Sequence, residues 1–212
     1  MQTLVLRYLK GNESIKSMSF RIEDKLFIID ENLNQFNEFL NNKLAKRIFE
    51  PRVIQSLYFD NLKFEMYKDS IEGSVPRKKI RIREYPKTKD TKKYFEIKTS
   101  SVEGRYKTRK LIDLDQVSEY RKYGYLDNSY GTCLPNYFVT YEREYSLIKD
   151  MRISIDKNIT YTNFYTGKSF NDKKIIVEIK TSANKDLDIL METFPFQRIR
   201  FSKYCFAVEN LS

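Results

Sequence analysis

The 212-residue chain contains no histidine, two cysteines, six glycines and five prolines. Without imidazole there is no Ser-His-Asp triad, no histidine general base, no phosphohistidine intermediate and no histidine metal site. Cys133 and Cys205 stand alone, far apart and in no metal-binding spacing, which predicts reduced, packed thiols and a cytoplasmic protein. So few glycines and prolines argue against disorder. No run approaches the roughly 18 apolar residues of a membrane span, and Met1 to Lys10 carries only a short apolar patch without a cleavage-type site. No repeat, linker or low-complexity tract divides the sequence. A single domain over 1–212 is expected, with 1–17 a weakly defined lead-in.

The chain is rich in large rings and in positive charge. Fifteen Phe and sixteen Tyr supply packing material, and 39 Lys plus Arg stand against 29 Asp plus Glu, a formal charge of +10. Such an excess calls for an anionic partner: nucleic acid, a membrane surface or phosphorylated small molecules. Net charge does not choose among them, but position does.

In Lys79-Ile-Arg-Ile-Arg-Glu84 alternation puts Lys79, Arg81 and Arg83 on one face of a strand and Ile80 and Ile82 on the other. On its own this reads equally well as a lysine-blunted edge strand. The pattern recurs, however. Arg21, Glu23 and Lys25 share a face in a strand over 19–29. Glu96 and Lys98 do so in 93–99, Arg105, Lys107 and Arg109 in 105–111, and Tyr141, Arg143 and Tyr145 in 137–147. Arg152, Ser154 and Asp156 follow in 151–156, then Glu178 and Lys180 in 174–180. Val53 to Asp60 is a further strand, with 46–52 as a connector. Helical spacing marks Leu33 to Leu44 after a capping Asp30, a short stretch ending near Ile71, 113–123 and 186–194. The stretch 124–135 reads as irregular.

Six or more strands, each charged on one face and apolar on the other, close most simply into a barrel whose charged faces line a lumen and whose apolar faces are covered by helices. Glu142 and Glu144 fall on the outer side of their strand and fit this arrangement poorly. The rival is a twisted sheet with a solvated basic face for nucleic acid. Against it, Glu23, Glu96 and Glu178 interleave with the cations and would repel a nucleic-acid backbone. Carboxylates among cations suit a site that holds polyphosphate and a divalent metal together. Gly167-Lys-Ser169 imitates the end of a phosphate-binding loop, but Thr162 stands where the first glycine belongs, so a polar turn is expected.

The ordered pieces Arg21-x-Glu23-x-Lys25, Ser56-Leu-Tyr-Phe-Asp60, Lys79-x-Arg81-x-Arg83, Phe95-Glu-Ile-Lys98, Lys107-x-Arg109, Tyr141-x-Arg143, Arg152-Ile-Ser-Ile-Asp156, Val177-Glu-Ile-Lys180 and Phe201-Ser-Lys-Tyr204 run from about Ser19 to Glu209. Together they resemble the VTC domain, the polyphosphate-polymerase branch of the triphosphate tunnel metalloenzymes (CYTH superfamily). The resemblance implies an α+β fold, an antiparallel eight-stranded tunnel barrel with helices packed outside. It implies a phosphotransferase moving the terminal phosphoryl of ATP onto inorganic polyphosphate, with Mn²⁺ or Mg²⁺ and no specific nucleic acid. A triphosphatase acting on inorganic triphosphate or nucleoside triphosphates, and a non-catalytic polyphosphate- or nucleotide-binding module, are the alternatives. Arg21 stands where the superfamily's hydrolases usually carry Glu, which favours the polymerase branch. By resemblance, Arg81, Arg83, Lys98, Arg143 and Arg152 are catalytic. Lys25, Lys79, Lys107, Arg109, Lys180, Ser202 and Lys203 bind phosphate, and Glu178 binds the metal.

Overall fold

A computed structural model describes residues 15–18, 21–88, 91–182 and 192–212. In chain order the elements are β1 (Ile15–Met18), β2 (Arg21–Ile28), α1 (Leu33–Asn42), β3 (Lys46–Asp60), α2 (Glu65–Glu72), β4 (Arg77–Glu84), β5 (Lys93–Ser101), β6 (Gly104–Ile112), α3 (Leu114–Tyr123), β7 (Tyr125–Asp127), β8 (Gly131–Ile148), β9 (Met151–Asn163), β10 (Ser169–Asp172), β11 (Ile175–Ser182) and α4 (Lys203–Leu211). The strands pair antiparallel in the order β1-β6-β5-β4-β3-β8-β9-β11-β2, with β10 beside β9 and β7 beside β8. This hydrogen-bonded path is open. Its two end strands are nonetheless consecutive in the chain, β1 lying on β6 and β2 on β11. No helix among the described residues is long and apolar enough to cross a membrane.

Alternation builds the layers. Ile80, Ile82, Leu57, Phe59 and Phe95 turn to the outer face and pack on Met66 of α2 and Val117 of α3. Leu26, Ile153, Ile155, Val177 and Ile179 turn the same way and pack on Phe36 and Leu40 of α1. Burying side chains of this size removes about 1.5–3 kcal/mol each of unfavourable hydration, which fixes which face of each strand is the inner one. At Asn158, with φ of 53°, the β8–β9 ladder slips by one residue. The slip reverses the parity of β9, so Asp156 and Ile159 both point inward.

Several expectations need correction. Residues 46–52 are strand, not connector: β3 is 15 residues long and pairs with β8 over its whole length. The stretch 124–135 is not irregular, since it contains β7 and the start of β8. Gly124 ends α3 at φ 80°, and a Cβ there would lie 2.5 Å from the Cys133 carbonyl oxygen, so only glycine makes this turn. Helix α1 begins after Asn32 rather than on Asp30. Most of the helix expected over 186–194 (all but 192–194), and most of the 1–17 lead-in, fall outside the described residues. Glu144 is accounted for by an outer-face ion pair with Lys157 at 2.6 Å.

The largest departure is α4. The helices were expected outside, yet Tyr204, Ala207, Val208 and Leu211 of α4 pack on Ile54, Tyr58, Tyr137, Val139, Tyr141, Ile159, Tyr161 and Ile176. Those are inner-face residues. Ser202 caps the helix through Cys205 N, and α4 turns part of the inner face into a third apolar core. Cys133 and Cys205 are both free and buried, as expected.

Candidate functional site

The rest of the inner face is charged. β2 contributes Glu23 and Lys25; β4 Lys79, Arg81 and Arg83; β5 Glu96 and Lys98; β6 Arg105, Lys107 and Arg109. β8 adds Arg143, β9 Asp156 and β11 Glu178 and Lys180, while Lys203 enters from the first turn of α4. Cations outnumber carboxylates by well over two to one.

Each carboxylate organises a group of cations. Glu96, 1% exposed, receives Arg81 Nε and Nη2 at 2.8 and 2.6 Å on one oxygen and Lys107 Nζ at 2.6 Å on the other. Arg109 approaches to 3.3 Å and Arg83 to 3.9 Å. Burial alone would push the Glu96 carboxyl up, but Arg81, Arg83 and Lys107 hold it well below the usual carboxylate range. Asp156, equally buried, grips Arg143 through both oxygens, with Nη2 at 2.6 Å, and also accepts from Lys203. Glu23 pairs with Arg105 and Lys180, each at 3.0 Å, so its ion pairs link β6 and β11 across the open ends of the sheet. Glu178 lies 3.4 Å from Lys180 and 3.9 Å from Arg143. Burial raises the Glu178 carboxyl, and Lys180, Arg143, Lys98 and Lys25 overcome that to hold it well below its ordinary value.

Tyrosine hydroxyls complete the arginine settings. Arg81 Nη1 donates to Tyr58 at 3.0 Å, and Arg83 Nη2 to Tyr141 at 3.1 Å, with Arg83 Nε on Ser56 Oγ at 3.3 Å. Two lysines meet the segment before α4: Lys25 donates to the Phe201 carbonyl, and Lys79 to Ser202 Oγ at 2.8 Å. Lys98 differs from the rest, because among the described residues no hydrogen bond or ion pair reaches its ammonium group. Burial first, then Arg81, drives its pKa well below that of an ordinary lysine. Burial likewise lowers Lys25 and Lys107, each to about 8.

The structure therefore gathers Lys25, Lys79, Arg81, Arg83, Lys98, Lys107, Arg109, Arg143, Lys180, Ser202, Lys203 and Glu178 on one face. Arg152 is the exception: it lies at the end of that face opposite Lys180 and is exposed. Asp156, Tyr58 and Arg105 belong to the cluster but stood outside the sequence-based set. The Asp156 signal was legible, since it shares the alternation of Arg152 and Ser154; its task of holding Arg143 and Lys203 depends on β8 and α4 arriving beside it.

Chemically, an array of this kind suits a polyanion: arginines already aimed by carboxylates, with donors left over, and lysines whose charge is costly until an anion arrives. A divalent ion fits only on stated terms. Among the described residues no three His, Cys, Asp or Glu side chains gather as a metal cage. Glu178 and Glu23 lie close enough that each raises the cost of ionising the other, with Lys180 between them. One or two carboxylates suffice for a Mg²⁺-type ion when phosphate oxygens supply the remaining ligands.

The fold has known relatives. A structure of an adenylate-cyclase-like protein from Bacillus halodurans superposes with a TM-score of 0.62 at 14% identity, covering 93% of this chain and 99% of that one. One from Vibrio parahaemolyticus gives 0.56 at 13% identity, over 91% and 99%. An adenylyl-cyclase-like protein of Hippeastrum, described with a dominant triphosphatase activity, gives 0.54 at 15% identity, over 89% and 95%. No curated protein matches the chain. The model of the VTC domain matches residues 20–212, nearly its full length, and the chain belongs to the VTC domain family.

Proposed function

We propose that the inner face is the wall of a phosphate tunnel, closed where β1 lies on β6 and β2 on β11, in which the terminal phosphoryl group of ATP is transferred to a polyphosphate chain. The observation that carries the reading is Lys98, a buried inward cation that no hydrogen bond or ion pair reaches among the described residues, while its neighbours on that face are so held. Arg81, Arg83 and Arg143 would clamp adjacent phosphates, their guanidiniums held in place by Glu96, Ser56, Tyr141 and Asp156. Lys25, Lys79, Lys98, Lys107, Arg109, Lys180 and Lys203 would supply charge along the chain, and Arg152 would meet it at the rim. Phosphoryl transfer asks for positioning and charge stabilisation more than covalent chemistry, and a phosphate acceptor is already ionised, so the lack of histidine is no obstacle. A Mn²⁺ or Mg²⁺ ion held by Glu178, with Glu23 beside it and phosphates completing its shell, would offset the mutual repulsion of the phosphate oxygens.

The triphosphatase activity described for the Hippeastrum protein makes hydrolysis the competing outcome. Incubation with ATP and Mn²⁺ decides. Long-chain polyphosphate is the expected product; free phosphate alone would make the protein a triphosphatase, and no turnover with retained binding would make it a binding module.

A further inference from the structure

The inner face continues beyond the last cation that meets a carboxylate. Along β3 its row runs Asp60, Tyr58, Ser56, Ile54 and Arg52. Helix α4 covers the Asp60 end: the Tyr204 hydroxyl donates to Asp60 at 2.6 Å, and its ring lies 5.4 Å from that of Tyr58. At the other end stands a group of rings and guanidiniums. Arg52 Cζ lies 5.0 Å from the Tyr145 ring centre, 5.3 Å from Phe49 and 5.7 Å from Tyr85. Phe49 meets Tyr145 edge to face at 5.5 Å, and Tyr85 meets Tyr94 at 6.4 Å. Arg109, the guanidinium that also reaches Glu96, lies 3.6 Å over Tyr94. Register joins this group to the phosphate face, since Arg52 sits opposite Arg143 and Tyr94 opposite Arg83.

Two features distinguish the group from ordinary packing. Phe49, Tyr94 and Tyr145 belong to none of the three apolar cores, and Phe49 is 50% exposed. Arg52 meets only rings: among the described residues no carboxylate or hydrogen-bond acceptor reaches its guanidinium, so its donors are unspent. A planar, weakly hydrated cation between aromatic rings offers stacking surface and in-plane hydrogen-bond donors together.

We propose that this platform is the nucleobase subsite of a nucleoside triphosphate whose phosphates lie along the cations, an inference that rests on the phosphate reading above. The base stacks among Phe49, Tyr145 and Arg52, and the phosphates run inward past Arg143 and Arg83 toward Arg81 and Lys98. The four-residue step from Arg52 to Ser56, the partner of Arg83, spans roughly 13 Å of strand, room for a nucleoside before its phosphates begin. A chain made only of phosphate gains nothing from the rings. The platform thus separates the nucleotide donor from the polyphosphate acceptor, which the cations alone cannot do.

Calorimetric titration of ATP and of tripolyphosphate, without metal, into the wild type, Phe49→Ala and Tyr145→Leu tests this. Loss of a stacking ring lowers the ratio of ATP affinity to tripolyphosphate affinity by roughly fivefold or more. In the wild type, ATP and GTP bind more tightly than CTP and UTP, because a purine covers more ring surface; this comparison needs no variant to fold. A wild type that binds tripolyphosphate, with the ratio unchanged in both variants and no purine preference, overturns the platform alone. A wild type that binds neither ATP nor tripolyphosphate overturns the phosphate reading and the platform with it.

Discussion

Glu96→Gln removes the countercharge from a carboxylate that contacts Arg81 and Lys107 at 2.6 Å and lies within 4 Å of Arg83 and Arg109. The amide keeps the shape and one acceptor oxygen, so the perturbation is almost purely electrostatic. Breaking a buried ion pair by removing one partner costs about 3–5 kcal/mol. For a protein of this size each kcal/mol lowers the melting temperature by about 2–4 °C, so the unliganded variant is expected to melt about 6–20 °C below the wild type. Tripolyphosphate brings the missing negative charge back. Its stabilising shift should therefore be larger in Glu96→Gln than in the wild type, by mass action on a tighter complex. The acid limb gives a second reading. Because the folded-state pKa of Glu96 lies far below its ordinary 4.5, its contribution is fully present above pH 4.5 and fades as pH falls toward the lowered value. The variant should lose that part of the acid dependence. Differential scanning fluorimetry with and without tripolyphosphate measures all three. Equal melting temperatures together with equal ligand shifts would refute the role of Glu96 as the charge hub of the site.

Lys98→Met should act with the opposite sign: it removes a buried cation that no hydrogen bond or ion pair reaches among the described residues, so the unliganded protein melts higher while tripolyphosphate affinity, measured by titration, falls at least tenfold. Lys25 and Lys107 have folded pKa values near 8 against an ordinary 10.5, so the unfolded chain holds more protons between those limits and unliganded stability rises from about pH 8 to 10.5. Binding a polyanion reverses that depression, so tripolyphosphate binding near pH 8 takes up protons, seen as a binding enthalpy that changes with buffer ionisation enthalpy, and affinity falls as pH rises above 8. Glu178→Gln should bind tripolyphosphate without metal at least as well as the wild type and lose Mn²⁺-dependent turnover by orders of magnitude; near-normal synthesis would remove Glu178 from the metal site while leaving the phosphate wall standing.

Period-two alternation made the charged face legible, because a one-residue error in reading Lys79 to Glu84 would have put Ile80 and Ile82 in water. What alternation could not supply was distance. The reach of Glu96 to cations on β4 and β6, or of Asp156 to Arg143, is set by the register of the paired strands, and that of Asp156 to Lys203 by the arrival of α4 from 47 residues further on. Lys46 to Arg52 read as a connector because its charges and Pro51 obscure the pattern; it is strand because β8 is long enough to pair with it. That same misreading hid Phe49 and Arg52. The general expectation that helices lie outside fails at α4, because a short helix with apolar residues on several faces does not say which side of a sheet it covers. The pairings of β1 with β6 and of β2 with β11 likewise join remote parts of the chain.

The placement of β1 and β2 also sets the order in which the chain can assemble. The hairpins β4–β5–β6 join near neighbours in sequence and can form as soon as they leave the ribosome. β2, made earlier, has its ladder on β11, which is synthesised after every other strand of this sheet. Until Ser182 has emerged, β2 has no sheet edge to complete, and Glu23 has no Lys180 to hold. A truncated translation product would leave β9 and β2 as exposed, unpaired edges, open to pairing with other chains. Quality control that removes such fragments would therefore matter more for this protein than for one built from local contacts.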